Sequence, residues 1–132
     1  MDPAILAKLD LFSGLSESEL HRIAARMTEE EFPEGSYLIE QDDLSYRFFV
    51  VLEGTVEVRR QGVVMAELGR GAFFGEEGIL TFQRRNADVV AVSDVRAAVA
   101  VGWDVREFMD EFPTVRAQIV QKSAARSTKD RI

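Results

Sequence analysis

From Phe32 to Val101 the apolar residues recur at a period of two, and turn-forming residues interrupt them at short intervals: Pro33-Glu34-Gly35, Asp42-Asp43, Glu53-Gly54, Gln61-Gly62 and Gly69-Arg70-Gly71. Side chains alternate between the two faces of a strand, so this rhythm specifies short antiparallel strands with one face buried. The runs Tyr37–Ile39, Arg47–Leu52, Thr55–Arg59, Val63–Leu68, Asp88–Val92 and Val95–Val101 are rich in β-branched and aromatic residues. Six such strands suggest a roll, a sandwich or a barrel.

Helical periodicity brackets the strands. Ser16 and Glu19 form a capping box, and Leu20, Ile23, Ala24 and Met27 recur at helical spacing, which predicts a helix over residues 17–28 with a shorter one before it. At the other end Val105, Phe108, Met109 and Phe112 share a face, Pro113 breaks it, and Val115, Ile119 and Val120 continue beyond. Phe82, Trp103 and Phe108 fit either the core or a partner contact, with the core favoured. A chain of 132 residues, 46% apolar, with three prolines and no biased tract, is one globular domain.

Composition removes several function classes. A net charge of −7 argues against direct contact with nucleic acid, which requires clustered cations to neutralise phosphates. The basic residues Arg116, Lys122, Arg126, Lys129 and Arg131 near the end read as a solvated helix face. With no cysteine there is no disulfide or thiolate chemistry, and a lone His21 on a polar helix flank does not make a metal site. Neither a nucleophile–base pair nor a histidine cluster of the kind metal-dependent β-roll enzymes use is present, so no catalytic residue, metal or resident cofactor is expected. The first residues have no signal-peptide pattern and no apolar run approaches the ~20 residues that span a bilayer. The expectation is a cytoplasmic protein with no membrane insertion.

The chemistry concentrates in residues 71–87, Gly-Ala-Phe-Phe-Gly-Glu-Glu-Gly-Ile-Leu-Thr-Phe-Gln-Arg-Arg-Asn-Ala. A glycine before an acidic residue between two strands reads as a turn opening a brief helix. Arg85 follows Glu76 by nine positions. A guanidinium grips two phosphate oxygens at once and a carboxylate accepts from hydroxyls, so the pair suits a ligand carrying both an anion and a hydroxyl, as a sugar phosphate does.

Phe74-Gly75-Glu76 with Arg85-Asn86-Ala87 nine positions on resembles the phosphate-binding cassette of the cyclic-nucleotide-binding domain family, which includes catabolite-activator-type regulators, protein kinase A regulatory subunits and nucleotide-gated channels. Leu11–Ser16, Phe32–Gly35 and Phe48–Val58 fit the same pattern in order. The resemblance covers about residues 11–126 and implies a mainly β fold with flanking helices. That fold is a double-stranded, jelly-roll-like β-roll: N-terminal helices over 1–30, a roll over 31–102 with the cassette at 73–87, and C-terminal helices over 103–132. Carried over residue by residue, it implies that Glu76 accepts the ribose 2′-hydroxyl, Arg85 pairs with the cyclic phosphate, and the amides of Gly78 and Asn86 complete the cradle. Gly75, Ile79 and Ala87 fall within the same ligand-binding motif, and Arg126 lies where some channel-type members place a basic lid over the base. The implied ligand is cAMP or cGMP, with cAMP taken first although Asn86 leaves the base unreadable.

Four positions depart from the pattern: Glu77 is usually apolar, Asp42 usually glycine, Arg84 usually proline, and Asn86 usually alanine, threonine or serine. Glu77 and Asp42 motivate an alternative, a degenerate member of the fold that binds no nucleotide and serves as an interaction or dimerisation module. Ligand binding is expected to order the cassette and draw the helices from Val105 onward against the roll, with the break at Phe112-Pro113 as hinge. A homodimer or a covalently attached effector domain is the expected recipient of the signal. The helix-compatible end, without a C-cap glycine, suggests that polypeptide continues beyond Ile132.

Overall fold

A computed structural model describes residues 1–126. Two four-stranded antiparallel sheets face one another. One has the order β1 (Thr28–Phe32), β8 (Val95–Val101), β3 (Arg47–Glu53), β6 (Phe73–Phe74), and the other β2 (Tyr37–Ile39), β7 (Asp88–Ala91), β4 (Val56–Arg60), β5 (Val63–Leu68). Helices α1 (Pro3–Leu6) and α2 (Glu17–Ala24), with a 3₁₀ turn at Asp10–Phe12 between them, precede the roll. Helix α3 (Glu76–Thr81) interrupts it, and α4 (Gly102–Glu111) and α5 (Pro113–Ala125) follow it.

The first sheet is covered on both faces, which is why β3 reads as an unbroken apolar run. Phe49 and Val51 on β3, Phe74 on β6, and Ala97 and Val99 on β8 point between the sheets, where Val56, Val58, Val89 and Ala91 meet them. The alternate residues Phe48, Val50 and Leu52, with Phe73, Ala98 and Ala100, face outward into a second core filled by Leu6, Phe12, Ile23, Phe108, Phe112 and Ile119 of the helices. Cross-strand partners Phe49 and Phe74 stack at 4.9 Å between ring centroids. The alanines of β8 let the helical layer approach closely. At the β4–β5 hairpin, Gln61 and Gly62 both take positive φ, 51° and 79°, as the tight turn that matches strand twist requires.

Several sequence expectations shift. The first long helix ends at Ala24 rather than residue 28, because β1 begins at Thr28 and pairs with β8. Its sequence, Thr-Glu-Glu-Glu-Phe, has little strand propensity, and as an edge strand it carries its charges toward solvent. The roll therefore spans 28–101, and the two-residue β6 within it lies below the length that periodicity detects. Phe82 and Trp103 are exposed rather than in the core, whereas Phe108 is buried. Trp103 sits one residue off the α4 face defined by Gly102, Val105, Phe108 and Met109, and Phe82 ends α3 in a left-handed conformation that turns its ring outward between Tyr46 and Arg106. Val120 is likewise exposed on α5. The expectations for Lys129, Arg131 and the last residues of the C-terminal helical region lie outside the described residues.

Candidate functional site: the Glu76–Arg85 cassette

Strand β6 delivers the chain to Gly75, which turns at φ 95° and caps α3 without any side-chain hydrogen bond. A Cβ there would lie 2.5 Å from the carbonyl oxygen of Arg47 on β3, so only glycine fits at this crossing. Glu76 and Glu77 open the helix, Phe82 closes it at φ 56°, and residues 83–87 lead into β7.

Among the described residues, Glu76 and Arg85 are the two charged side chains that are buried, at 1% and 2% exposure. Arg85 is enclosed by acceptors from its own chain. Its Nη1 donates to the Gly75 carbonyl at 2.8 Å, its Nη2 to the Arg47 carbonyl at 2.6 Å, and its Nε to Ser45 Oγ at 3.5 Å. A guanidinium has five N–H groups, so two are left for an anion. The Arg85 backbone is pinned as well, donating to the Asp43 carbonyl at 2.8 Å and accepting from the Asp42 amide at 2.7 Å. Asp42 meets it at φ 70°, the left-handed region that glycine favours and aspartate tolerates, so this departure from the family pattern is accommodated in the backbone. Burial lowers the Arg85 pKa, and the Glu76 carboxylate is the foremost charge opposing that shift.

Gly78 packs directly against the guanidinium: a Cβ would sit 2.7 Å from Arg85 Nη1. Beyond its amide, this glycine is needed for the arginine to lie flat on the first turn of α3. The cavity here, bordered by Glu77, Gly78, Arg84, Arg85 and Asn86, holds about 30 Å³. That accommodates a water or two, roughly a tenth of the smallest ordinary ligand pockets. Glu77 is half-buried at the cavity wall rather than fully in solvent, and exposed Arg84 donates to the Asp42 carbonyl at 3.1 Å.

The remaining motif residues divide by side chain and backbone. Ile79 and Ala87 point into the two cores, so their side chains are not at the site. The Asn86 carbonyl accepts from Arg60 Nε at 2.9 Å, which ties the cassette to β4. Glu76 is desolvated by burial, which pushes its carboxyl above the ordinary range even though Arg126 and Ser123 draw it down. Arg126 Nη1 lies 3.3 Å from Glu76 Oε1, its Nη2 donates to the Phe73 carbonyl, and its guanidinium carbon lies 4.8 Å from the Phe73 ring centroid. Arg126 thus reaches the Glu76 carboxylate from the end of α5. The Gly75 and Arg47 carbonyls escaped sequence reasoning because backbone acceptors carry no sequence signal, and the Ser45 hydroxyl because it lies forty positions from Arg85.

The profile of the cyclic nucleotide-binding domain matches residues 29–112. The cAMP-dependent protein kinase regulatory subunit of Mycosarcoma maydis is 36% identical over 90 residues, covering 65% of this chain and 17% of that protein. The cGMP-dependent protein kinase egl-4 of Caenorhabditis elegans is 33% identical over 92 residues, covering 65% of this chain and 12% of that one. The chain thus spans less than a fifth of the length of either relative. Among solved structures, the regulatory subunit of a cAMP-independent protein kinase A from Trypanosoma brucei superposes with a TM-score of 0.81 at 27% identity, over 92% of this chain and 44% of that one. With the roll, the cassette turn and the buried Glu76–Arg85 pair in the places the motif assigns, the chain belongs to the cyclic nucleotide-binding domain family.

Proposed function

We propose that this chain is a ligand-responsive sensor whose cassette holds a cyclic nucleotide, cAMP before cGMP, with Arg85 on the cyclic phosphate and Glu76 on the ribose 2′-hydroxyl. The observation that carries the reading is the burial of these two opposite charges on one six-residue helix and its flanking loop. Burying a charge is costly unless it is paired. Here Arg85 keeps two N–H groups beyond those given to the Gly75 and Arg47 carbonyls and the Ser45 hydroxyl, and Glu76 Oε2 has no hydrogen-bond partner. A phosphate and a hydroxyl complement those groups. The relatives include both a cAMP-dependent and a cGMP-dependent kinase, so the family leaves the base open. The Trypanosoma neighbour, described as belonging to a cAMP-independent kinase, indicates that the fold alone does not secure the ligand; retention of Arg85 favours binding over the degenerate alternative.

Because α4 and α5 already pack on the roll through Val105, Phe108, Phe112, Val115 and Ile119, entry of a nucleotide changes the position of α5, and the junction at Phe112-Pro113 is where it pivots. The output is passed in the cytoplasm to a second copy or an attached effector domain. No helix among the described residues is long and apolar enough to cross a membrane.

The role of Glu76 is tested by comparing cAMP with 2′-deoxy-cAMP on the wild-type chain and on Glu76→Gln. The deoxy analogue is expected to bind about tenfold or more weakly to wild type, and the difference to shrink in the variant. Equal affinity of wild type for both ligands removes Glu76 from the ribose.

A further inference from the structure

The buried residues of α5 are Val115, Ile119 and Ser123, spaced four apart along one stripe, so Ser123 puts a hydroxyl where packing alone would place an apolar side chain. A buried hydroxyl needs a partner. Ser123 finds it in Glu76, and the hydrogen bond between them helps draw the Glu76 carboxyl down against the upward push of burial. Arg126 caps the helix three positions on, its amide donating to the Ser123 carbonyl at 3.2 Å. Its Nη1 lies 3.3 Å from Glu76 Oε1, and its Nη2 donates to the Phe73 carbonyl on the strand that leads into Gly75. Oε2 of the same carboxylate is buried and accepts no hydrogen bond. One carboxylate thus has a held side and an open side. A buried acceptor without a donor is costly, and a hydroxyl brought by a ligand is a group that satisfies it.

We infer that Ser123 and Arg126 are positioning residues for the ribose hydroxyl: from the end of α5 they hold Glu76 so that Oε2 is presented to the 2′-hydroxyl of a bound nucleotide. The inference rests on the function proposed above. Neither residue touches the ligand in this role; both act through Glu76. The Arg126 charge favours the ionised carboxylate, and an ionised acceptor bonds a hydroxyl about twice as strongly as a neutral one. The contacts of Ser123 and Arg126 also fix the carboxylate in place, which reduces the ordering left to binding. Because a hydroxyl on Oε2 binds better when the last turn of α5 is docked, the ligand in turn favours the docked turn.

The test is titration of cAMP and 2′-deoxy-cAMP into the folded wild-type chain, Ser123→Ala, Arg126→Gln, and Glu76→Gln with and without Ser123→Ala. The quantity read is the ratio of the two affinities. Loss of packing, or of a lid over the base, weakens both ligands alike and leaves the ratio unchanged, whereas loss of positioning weakens cAMP alone. The ratio is expected to be about tenfold or more in wild type and to fall about threefold or more in Ser123→Ala and in Arg126→Gln, the scale of one hydrogen bond. In the Glu76→Gln background, Ser123→Ala is expected to leave the ratio unchanged. A wild-type ratio in either single variant removes that residue from the role, and a Ser123→Ala effect that persists without the Glu76 carboxylate overturns action through Glu76; the nucleotide reading stands in both cases. A wild-type chain that binds the two ligands equally, or binds neither, instead overturns the placement of Glu76 on the ribose, and the positioning role with it.

Discussion

Arg85 and Glu76 carry opposite charges in a region where neither meets bulk water, and their surroundings differ in kind. Arg85 rests on backbone carbonyls of Gly75 and Arg47, so it braces the cassette against β3. Arg85→Ala strands those carbonyls and is expected to lower folding stability by about 1–3 kcal/mol, measurable by urea denaturation, alongside any loss of binding. Glu76 has the opposite effect on stability, because burial raises its pKa above the ordinary glutamate value of 4.5. The unfolded chain therefore holds the charged carboxylate more comfortably than the folded one, and the penalty is full above the folded-state pKa and gone below about pH 4.5. Glu76→Gln is expected to unfold at a higher temperature than wild type at pH 7, and the advantage to disappear as pH falls toward 4.5; an advantage that grows with acidification contradicts this assignment. At Asp42, φ 70° and an amide bonded to the Arg85 carbonyl show a backbone already in the glycine-like conformation. Asp42→Gly is accordingly expected to leave cAMP affinity within about twofold.

At the level of elements, legibility in the sequence followed pattern length. Strands β3, β5 and β8 are long and apolar or alternating, and both α4 and α5 are marked by Pro113 between them; all of these were readable. Strand β1 was not, because three successive glutamates on an edge strand obey pairing with β8 rather than propensity. The cassette was readable as a motif, with Gly75, Glu76, Gly78 and Arg85 at fixed spacing. What Arg85 and Arg126 touch was not, because those partners come from β3, β6 and the cassette turn and are mostly carbonyls. The capping box of α2 was legible and is fully formed, with Ser16 Oγ accepting from the Glu19 amide at 3.2 Å and the Ser16 amide donating to Glu19 Oε1 at 2.9 Å. Ser16→Ala is expected to cost about 1 kcal/mol in chemical denaturation. On β8, Ala98 and Ala100 are buried under the helices, and Ala100→Leu is expected to destabilise the fold by about 1–3 kcal/mol through overpacking.

Across the whole molecule, two cores share one sheet. The inter-sheet core fixes the roll, while the outer core unites β3, β6 and β8 with the helices from both ends of the described chain. Ion pairs Arg22–Glu111 and Arg26–Glu107 join α2 and the turn that follows it to α4 at the surface of this outer layer. Helix α5 is joined to the cassette by the contact of Arg126, at its C-terminal end, with Glu76 at 3.3 Å. In the proposed function Arg85 anchors a cyclic phosphate. Its most direct test is isothermal titration calorimetry with cAMP and cGMP on the chain beside Arg85→Ala, with folding of both verified by circular dichroism and prior removal of carried-over ligand. Micromolar or tighter binding to wild type, weakened about tenfold or more in the variant, is the expected result. Equal binding by the folded variant, or no heat from folded wild type with either nucleotide, contradicts it.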